Sequence, residues 1–540
     1  MGTVVSKAQL ILQAVAELKK TYDVLNKRLQ TSPGLPIPNP TLPLWTVPPA
    51  SLPSTPGAKD LPDYADVVIV GSGITGTSVA YNILRHESQP KIVMLEARDV
   101  CSGATGRNGG HINPPLYHDY NELEEKYGVH VAKVMIAFRR AHLTELLRIA
   151  TEEGILSESQ CRETEHLDVF TCPKAFAASK ENLAKWRAAM PAESSSFACY
   201  EREEAIRKYH LSDQTLGCIS NAGGAMHPYR FVTSLLSILL ARHPDALQIF
   251  THTPCTSIAS AEGLYTVITP RGTLRTPHVV HATNGWCSHL LPALRAKIAP
   301  ARGAMSAQRP GTALHASTLS GGRSFVFYRG TAGYDYLTQL PQGERELMFG
   351  GGWAQACDDG LPEIGIADDG TVNHASQSYL AGALPQYFGL GNWGGEAQVH
   401  GEEPREGGEG APRWGAGRTK AQWSGILGIS ADLLPWVGRL PEKLSGRTPS
   451  KQSVALGSQA HQNGEKIGDA KAHLAAPGEW ISAGYTGEGM VHAWMSGKAL
   501  AHMLLDREDE IEEWFPDILR VTEKRWKEAD FENLIARFMR

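Results

Sequence analysis

Residues 66–98 read DVVIVGSGITGTSVAYNILRHESQPKIVMLEAR, and this stretch decides the fold. Val67 to Val70 form a β-branched run, Gly71, Gly73 and Gly76 follow in G-x-G-x-x-G spacing, an apolar helical period runs through Val79, Ile83 and Leu84, and Ile92 to Leu95 make a second apolar run. The order predicts strand, glycine turn, helix, strand. Gly71 permits the tight turn, Gly73 lets backbone approach a pyrophosphate, and Gly76 lets helix and strand pack closely. The helix start, around Ser72, Ile74 and Thr75, offers free N–H groups and a positive dipole to an anion. Glu96 closes the second run 20 residues after Gly76, where a carboxylate accepts ribose hydroxyls and repels a 2′-phosphate. An adenine dinucleotide site is the expectation; a purely structural glycine turn is the alternative.

The next stretch, residues 101–114, reads CSGATGRNGGHINP. With LEAR before it, SGATGRNGG resembles the D-amino-acid oxidase-like FAD-dependent oxidoreductases, the broad family of glycine, sarcosine and γ-glutamylputrescine oxidases. The resemblance implies an α/β chain: a glutathione-reductase-type Rossmann domain holding FAD and a mixed-sheet α+β substrate domain, with the chain passing discontinuously between them. It places Glu96, Ala97 and Arg98 at the dinucleotide, and Ser102, Ala104, Thr105, Asn108, Gly109 and Gly110 beside the flavin ring. Small residues suit that role because a planar ring needs close backbone approach; a mobile glycine loop is the alternative. His111 follows directly and is a candidate to contact the ring, or substrate, or to bond the flavin covalently.

Composition narrows the class. A chain of 540 residues exceeds one ordinary domain, and 54 glycines suit a turn-rich nucleotide-binding protein. The net charge of −5 leaves no nucleic-acid footprint, so a small-molecule partner is expected. Eight cysteines lie scattered without C-x-x-C pairs, no secretory signal precedes them, and no apolar run is long enough to span a bilayer. A cytoplasmic protein with reduced thiols is the expectation. His111, His118 and His142 lack ligand spacing and clustered carboxylates, so no metal site is expected.

Residues 1–30 stand apart as an amphipathic helix: Val4, Ala8, Ile11, Val15, Leu18, Tyr22, Leu25 and Leu29 alternate spacings of four and three. That seam packs on the body, pairs with a second copy or meets a membrane. Met1-Gly2-Thr3-Val4-Val5-Ser6 fits the myristoylation pattern, and one acyl chain gives only weak, reversible membrane-surface attachment. Residues 31–63, rich in proline, read as an extended linker.

Beyond the flavin loop the expected domains interleave. Residues 64–120, 215–298 and 421–507 are assigned to the FAD-binding domain, with 445–478 a flexible insertion; 121–214 and 299–390 to the substrate domain; 391–420 to a second flexible insertion; and 508–540 to a helical tail. Residues 121–214 look mostly helical, the helix over 229–241 should be buried, and short strands with turns at Glu262-Gly263 and Arg271-Gly272 lead into HATNGW at 281–286. From the resemblance, Thr283, Asn284 and Gly285 lie beside the cofactor and Cys255 near its adenine. IAPARGAM at 298–305 resembles the family's opening of the second substrate segment. Residues 423–441 match a late strand-turn-strand hairpin of the FAD domain, and the absence of cysteine after Cys357 excludes a cysteinyl flavin tether there. GYTGEGM at 484–490 resembles the family's closing turn. Gly484, Gly487, Glu488, Gly489 and Met490 should meet the flavin, and the following helix start should stabilise the negative charge of its reduced form.

An amine oxidase needs a cation for a substrate carboxylate and aromatic walls around the amine. Arg302, Tyr336, Trp353, Tyr485 and His111 are the candidates, with a local salt bridge the alternative for Arg302. The resemblance thus implies oxidation of a C–N bond in an amino acid or other primary or secondary amine by hydride transfer to flavin N5, with O2 as acceptor. No obligate catalytic base is required. A reduced-nicotinamide-dependent flavin hydroxylase and a non-catalytic FAD protein binding membrane or partners are the alternatives.

Overall fold

The computed structural model describes residues 2–52, 60–86, 89–261, 263–314, 319–396, 414–448 and 474–532, without the side chains of 2–8 and Leu18. The myristoylation pattern, Glu262, and residues 397–413 and 449–473 of the two insertions therefore fall wholly or in part outside the described set.

The glycine crossing lies at the centre of a six-stranded sheet in the order Trp436–Arg439, Gly478–Ala483, His278–His281, Val67–Val70, Ile92–Leu95, Leu247–Phe250. All neighbours run parallel except the first pair. The strands are near-continuous apolar runs because both faces are covered. Helix Ile74–Leu84, buried nearly all round, packs against Ala493–Leu504 and Pro228–Arg242. A Cβ on Gly497 would lie 2.7 Å from Ser78 Cβ, so the first two helices cross at backbone distance.

A nine-stranded mixed sheet forms the second layer. Its two faces differ. Leu167, Val169, Phe325, Phe327, Leu337 and Phe349 point to one side and form an apolar core under helix His374–Phe388, whose Tyr387 stacks on Phe327 at 3.9 Å. The alternate residues His166, Asp168, Ser324, Tyr328, Tyr336 and Thr338 point to the other side.

Several expectations need correction. Residues 121–214 contain four long helical segments, but also the nine-residue strand Arg162–Phe170 inside the large sheet. Its apolar alternation is only Leu167 and Val169 against the buried polar His166 and Asp168, too short to stand out from the charged residues before it. Residues 423–441 form no hairpin: Thr419–Ser430 pairs with Ile298–Gln308 in the large sheet, whereas Trp436–Arg439 pairs with Gly478–Ala483 in the small one. Gly217–Ala225, grouped by sequence with the dinucleotide sheet, also pairs inside the large one. Trp393, within the expected flexible stretch 391–420, is 1% exposed because it fills the core under the large sheet. Among the described residues of the tail, short turns lead to the helix Glu523–Glu528, and Ile511, Phe515, Leu519 and Phe531 are buried.

At the other end, Gly2–Gln30 is one helix. Among the described side chains of its seam, Leu25 and Leu29 are buried, whereas Ile11 and Val15, with their neighbours Leu10 and Leu12, are each more than half exposed. All eight cysteines are free thiols.

Candidate functional site: a dinucleotide cleft and an adjoining polar face

Where the central strand ends, Gly71 adopts φ +111°, and a Cβ there would stand 2.6 Å from Ala282 O. Gly76 is as constrained, with its Cβ position 2.1 Å from Gly71 O. Glu96 is held by Ser72, whose Oγ and N donate to Oε2 at 2.6 and 3.2 Å, and by Arg98 N, which donates to Oε1 at 3.0 Å. Ile74 N donates to Thr105 Oγ1 at 3.1 Å, which ties the helix start to the next loop.

Around these atoms lies one cleft. Its wall includes Gly71, Ser72, Gly73, Ile74 and Thr75 from the crossing; Glu96, Ala97, Arg98, Ala104, Thr105 and Asn108 from the loop; Cys255, Thr283 and Asn284 from the later strands; and Tyr485, Gly487, Gly489 and Met490 from the closing turn. Other candidates stand behind the wall. Gly76 packs beneath it, Ser102 O accepts from Arg98 and Arg107, Gly285 lies against Leu427 O, and Gly484 N donates to Asn284 Oδ1 at 3.0 Å. Tyr485 also belongs to this cleft and not to a substrate wall. Its hydroxyl bonds Thr75 at 2.8 Å and Ser482 at 2.7 Å, and burial pushes its pKa up to about 12.

Two observations test whether FAD fits. The Thr283 hydroxyl and the Trp286 indole N–H are buried in the wall with no hydrogen-bond partner among the described residues, a costly state unless a ligand satisfies them. At Gly487 a Cβ would meet nothing within 4 Å, so bare backbone there faces cleft space. A long polar cofactor with a planar end matches both.

The flavin loop continues onto the polar face of the large sheet. A Cβ on Gly109 would lie 2.7 Å from the Tyr336 ring, and Thr338 Oγ1 donates to Gly109 O at 2.6 Å. Tyr336 in turn donates to Met305 Sδ at 3.1 Å. Gly110 N donates to Asn108 Oδ1 at 2.7 Å. His111 Nε2 meets His166 Nδ1 at 3.2 Å and Ser324 Oγ at 3.1 Å, and burial keeps its imidazole neutral.

From His111 a buried chain extends that no local motif announces. His166 bonds Asp168 at 3.0 Å, Tyr117 donates to the same carboxylate at 2.7 Å, and His118 lies 3.5 Å from it and 3.0 Å from the Tyr328 hydroxyl. Burial would raise the Asp168 pKa, but His166 and His118 outweigh it and hold the group well below the usual carboxylate range. Beside this chain, buried Arg139 lies 2.7 Å from Asp119 and 3.5 Å from Glu488, and its Nε donates to His492 Nε2 at 3.2 Å. Burial raises the Glu488 pKa against the pull of Arg139 and His118. Thus Glu488 turns to this cluster instead of the dinucleotide wall. Tyr334, 47% exposed, stands beside Tyr336 with ring centroids 6.5 Å apart.

Arg302 and Trp353 are not brought to this face. Arg302 donates to Glu363 at 2.5 and 3.2 Å and to Thr371, and the Trp353 indole donates to Arg302 O at 3.3 Å while packing on Gly360. The Glu363 side chain is 3% exposed, and a carboxylate so buried requires the cation.

Residues 66–503 match the family described as DAO, FAD dependent oxidoreductase. The chain is 25% identical over 316 residues to a probable oxidoreductase, OrdL, of Rhizobium meliloti (strain 1021), covering 57% of this chain and 67% of that protein. It is 37% identical over 70 residues to the gamma-glutamylputrescine oxidoreductase of Escherichia coli (strain K12), 13% of this chain and 16% of that one. Glycine oxidase from Geobacillus kaustophilus has the same fold, with a TM-score of 0.57 at 14% identity over 86% of this chain and 99% of its own. With a match running from the first strand through the closing helix, and a cleft whose wall suits the cofactor, this chain is an enzyme of the FAD-dependent oxidoreductase family with FAD as its cofactor.

Proposed function

We propose that the protein oxidises the C–N bond of a primary or secondary amine, including amino acids, and that O2 is the final electron acceptor. The observation that carries this reading is the pair of tyrosine rings at the point where the flavin loop meets the polar sheet face: Tyr336 against Gly109, and Tyr334 with its ring centroid 6.5 Å from that of Tyr336. Tyrosine walls there suit an amine, whose cationic form they attract and whose neutral form they orient. The names of relatives, a gamma-glutamylputrescine oxidoreductase and a glycine oxidase, point to the same substrate class.

When bound, FAD supplies the hydride acceptor. The chain has to bring the substrate as a free amine. Glu488, with its pKa raised by burial, is the group suited to take the ammonium proton at its carboxylate oxygen. Arg139 holds that carboxylate in place, and Asp119 balances the guanidinium from the other side. Because Arg302 is committed to Glu363, it is not the group that would hold a substrate carboxylate.

Anaerobic mixing of the purified holoprotein with a panel of amines and amino acids tests the reading. Bleaching of the flavin band by at least one amine, followed by recovery in air with peroxide release, is the expected result. A flavin reduced by NADPH but by no amine identifies a hydroxylase instead.

A second reading concerns the N-terminus, which we propose attaches weakly to anionic membrane. Leu10, Ile11, Leu12 and Val15 leave more than one side of the helix apolar and exposed, wider than a two-stranded coiled-coil seam, and Lys19 and Lys20 follow closely. Flotation with phosphatidylserine vesicles that Leu12→Glu abolishes is the expected outcome; an unaltered soluble fraction sinks this reading.

A further inference from the structure

Residues 31–52 lie before the stretch that matches the family, yet they are built into the cofactor cleft. Gly34, Leu35 and Pro36 contribute to the same wall as Cys255, His289 and Leu290, and Ser32 Oγ bonds His289 Nδ1 at 3.1 Å. Ten residues later the segment reaches the flavin loop. There the Trp45 indole N–H donates to Asn108 O at 2.5 Å, and its ring, 1% exposed, lies against Gly110 and, at 4.5 Å, His227. The segment therefore runs lengthwise along the cleft, from its Cys255 end to its flavin-loop end.

Between those ends it is clamped at one buried carboxylate. Asp369, wholly inaccessible, receives both Nη atoms of Arg98 at 3.0 and 3.1 Å and lies 3.4 Å from Arg107 Nε. Thr41 N and Oγ1 both donate to Asp369 O at 2.8 Å. In return Thr41 O accepts from Arg107 Nη2 at 2.7 Å, and Ile37 O accepts from Arg98 Nη1 at 3.3 Å. The strap thus supplies backbone acceptors to two buried guanidinium groups, Arg98 before the loop that carries Ala104, Thr105 and Asn108 and Arg107 within it. Without Thr41 O the Arg107 Nη2 donor would lose its partner in a buried setting, while Arg98 Nη1 would keep Asp369, so the cost of losing the strap falls chiefly on Arg107.

We infer that residues 31–52 are a working part of the FAD site: a strap that closes one side of the cleft, braces the flavin loop and sets how tightly the cofactor is retained. Its hold acts through Thr41 and Trp45 on the cleft wall. The inference concerns cofactor retention and is independent of which substrate is oxidised.

The test uses full-length holoprotein and follows FAD release by flavin fluorescence on dilution. Trp45→Phe keeps the ring but deletes the donor to Asn108, and Thr41→Val keeps the shape but deletes the hydroxyl. Each is expected to speed release about tenfold, the loss of a buried hydrogen bond expressed as a rate, with unchanged far-ultraviolet circular dichroism. Tyr22→Phe, which removes the helix contact to Glu532, leaves release at the parent rate. Release within about twofold of the parent for both strap variants overturns the inference. The parent protein provides a second measurement that requires no substitution. Amide exchange over 34–46 is expected to quicken when FAD is stripped, because linkage between strap and cofactor is reciprocal, and exchange that ignores FAD overturns the inference equally.

Discussion

The dinucleotide cleft and the polar sheet face meet at Gly109, yet they are made by opposite means. The cleft is built on backbone: Gly71, Gly73, Gly487 and a helix start in its wall, with Gly76 packed beneath, arranged by short motifs in which neighbours in sequence are neighbours in space. The polar face is mostly side chains, with Tyr117, His118, Arg139, Asp168, Tyr328, Tyr334 and Glu488 coming from six separate elements or turns. A backbone site tolerates little change in glycine and much change elsewhere. A side-chain site is the reverse, and its charges answer to one another.

The sharpest way to break this contrast is Gly71→Val. The added Cβ clashes with Ala282 O and forces a β-branched residue to positive φ, a cost of about 4 kcal/mol that corresponds to roughly a thousandfold loss of FAD affinity. Protein purified without flavin absorbance is the expected outcome; retained stoichiometric FAD would count against a backbone-made cleft.

On the polar face the largest effect belongs to Arg139→Met. It leaves Asp119 and Glu488 facing each other without their buried cation, and unfolding stability should fall by about 3 kcal/mol in denaturant titration. Stoichiometric FAD should survive at low denaturant. Loss of flavin in parallel with stability would mean that the two regions are not separable.

Two carboxyl groups on that face shift in opposite directions, so pH can distinguish them. Asp168 is held below its ordinary 3.8; its contribution is complete above that value and is lost as pH falls through the native pKa. Glu488 is raised above its ordinary 4.5; its contribution is complete below that value and is lost as pH rises through the native pKa. Melting curves carried well below pH 3.8 on one side and well above pH 4.5 on the other should therefore show an acid limb that Asp168→Asn flattens and an alkaline decline that Glu488→Gln flattens. Identical pH profiles in the two variants would contradict these environments. Glu488→Gln should also lower kcat about tenfold or more at unchanged FAD content, measured by stopped-flow reduction.

The smallest effect is expected at Arg302. Because its guanidinium serves Glu363, Arg302→Lys should change the ratio of kcat/KM for carboxylate-bearing and plain amines by less than about twofold. A selective loss for the carboxylate substrates would return Arg302 to the site.

Legibility in the sequence followed the same division. Gly71 through Thr75, Glu96 and the loop at Ala104, Thr105 and Asn108 were readable because a strand-turn-helix unit needs particular residue types at fixed spacing. Arg302 was misplaced because a cation in sequence carries no record of the carboxylate it will meet; Glu363 lies 61 residues further on. Arg162–Phe170 was missed because both its faces are buried while one of them carries the polar His166 and Asp168, leaving only Leu167 and Val169 as an apolar alternation. The strap looked like a linker because proline content reports an extended backbone and is silent about what that backbone touches.

Local rules alone thus determined that the chain opens a Rossmann crossing at Gly71, sets Glu96 at the end of the second strand and closes with a glycine turn before the last sheet-covering helix. Only the tertiary structure decided that Asp369 would join Arg98, Arg107 and Thr41 beside the cofactor loop, and that Glu488 would turn towards Arg139. The physical reason is range: φ preference and hydrogen-bond spacing act over a few residues, whereas pairing a buried charge depends on which distant segments the two sheets bring within about 3 Å.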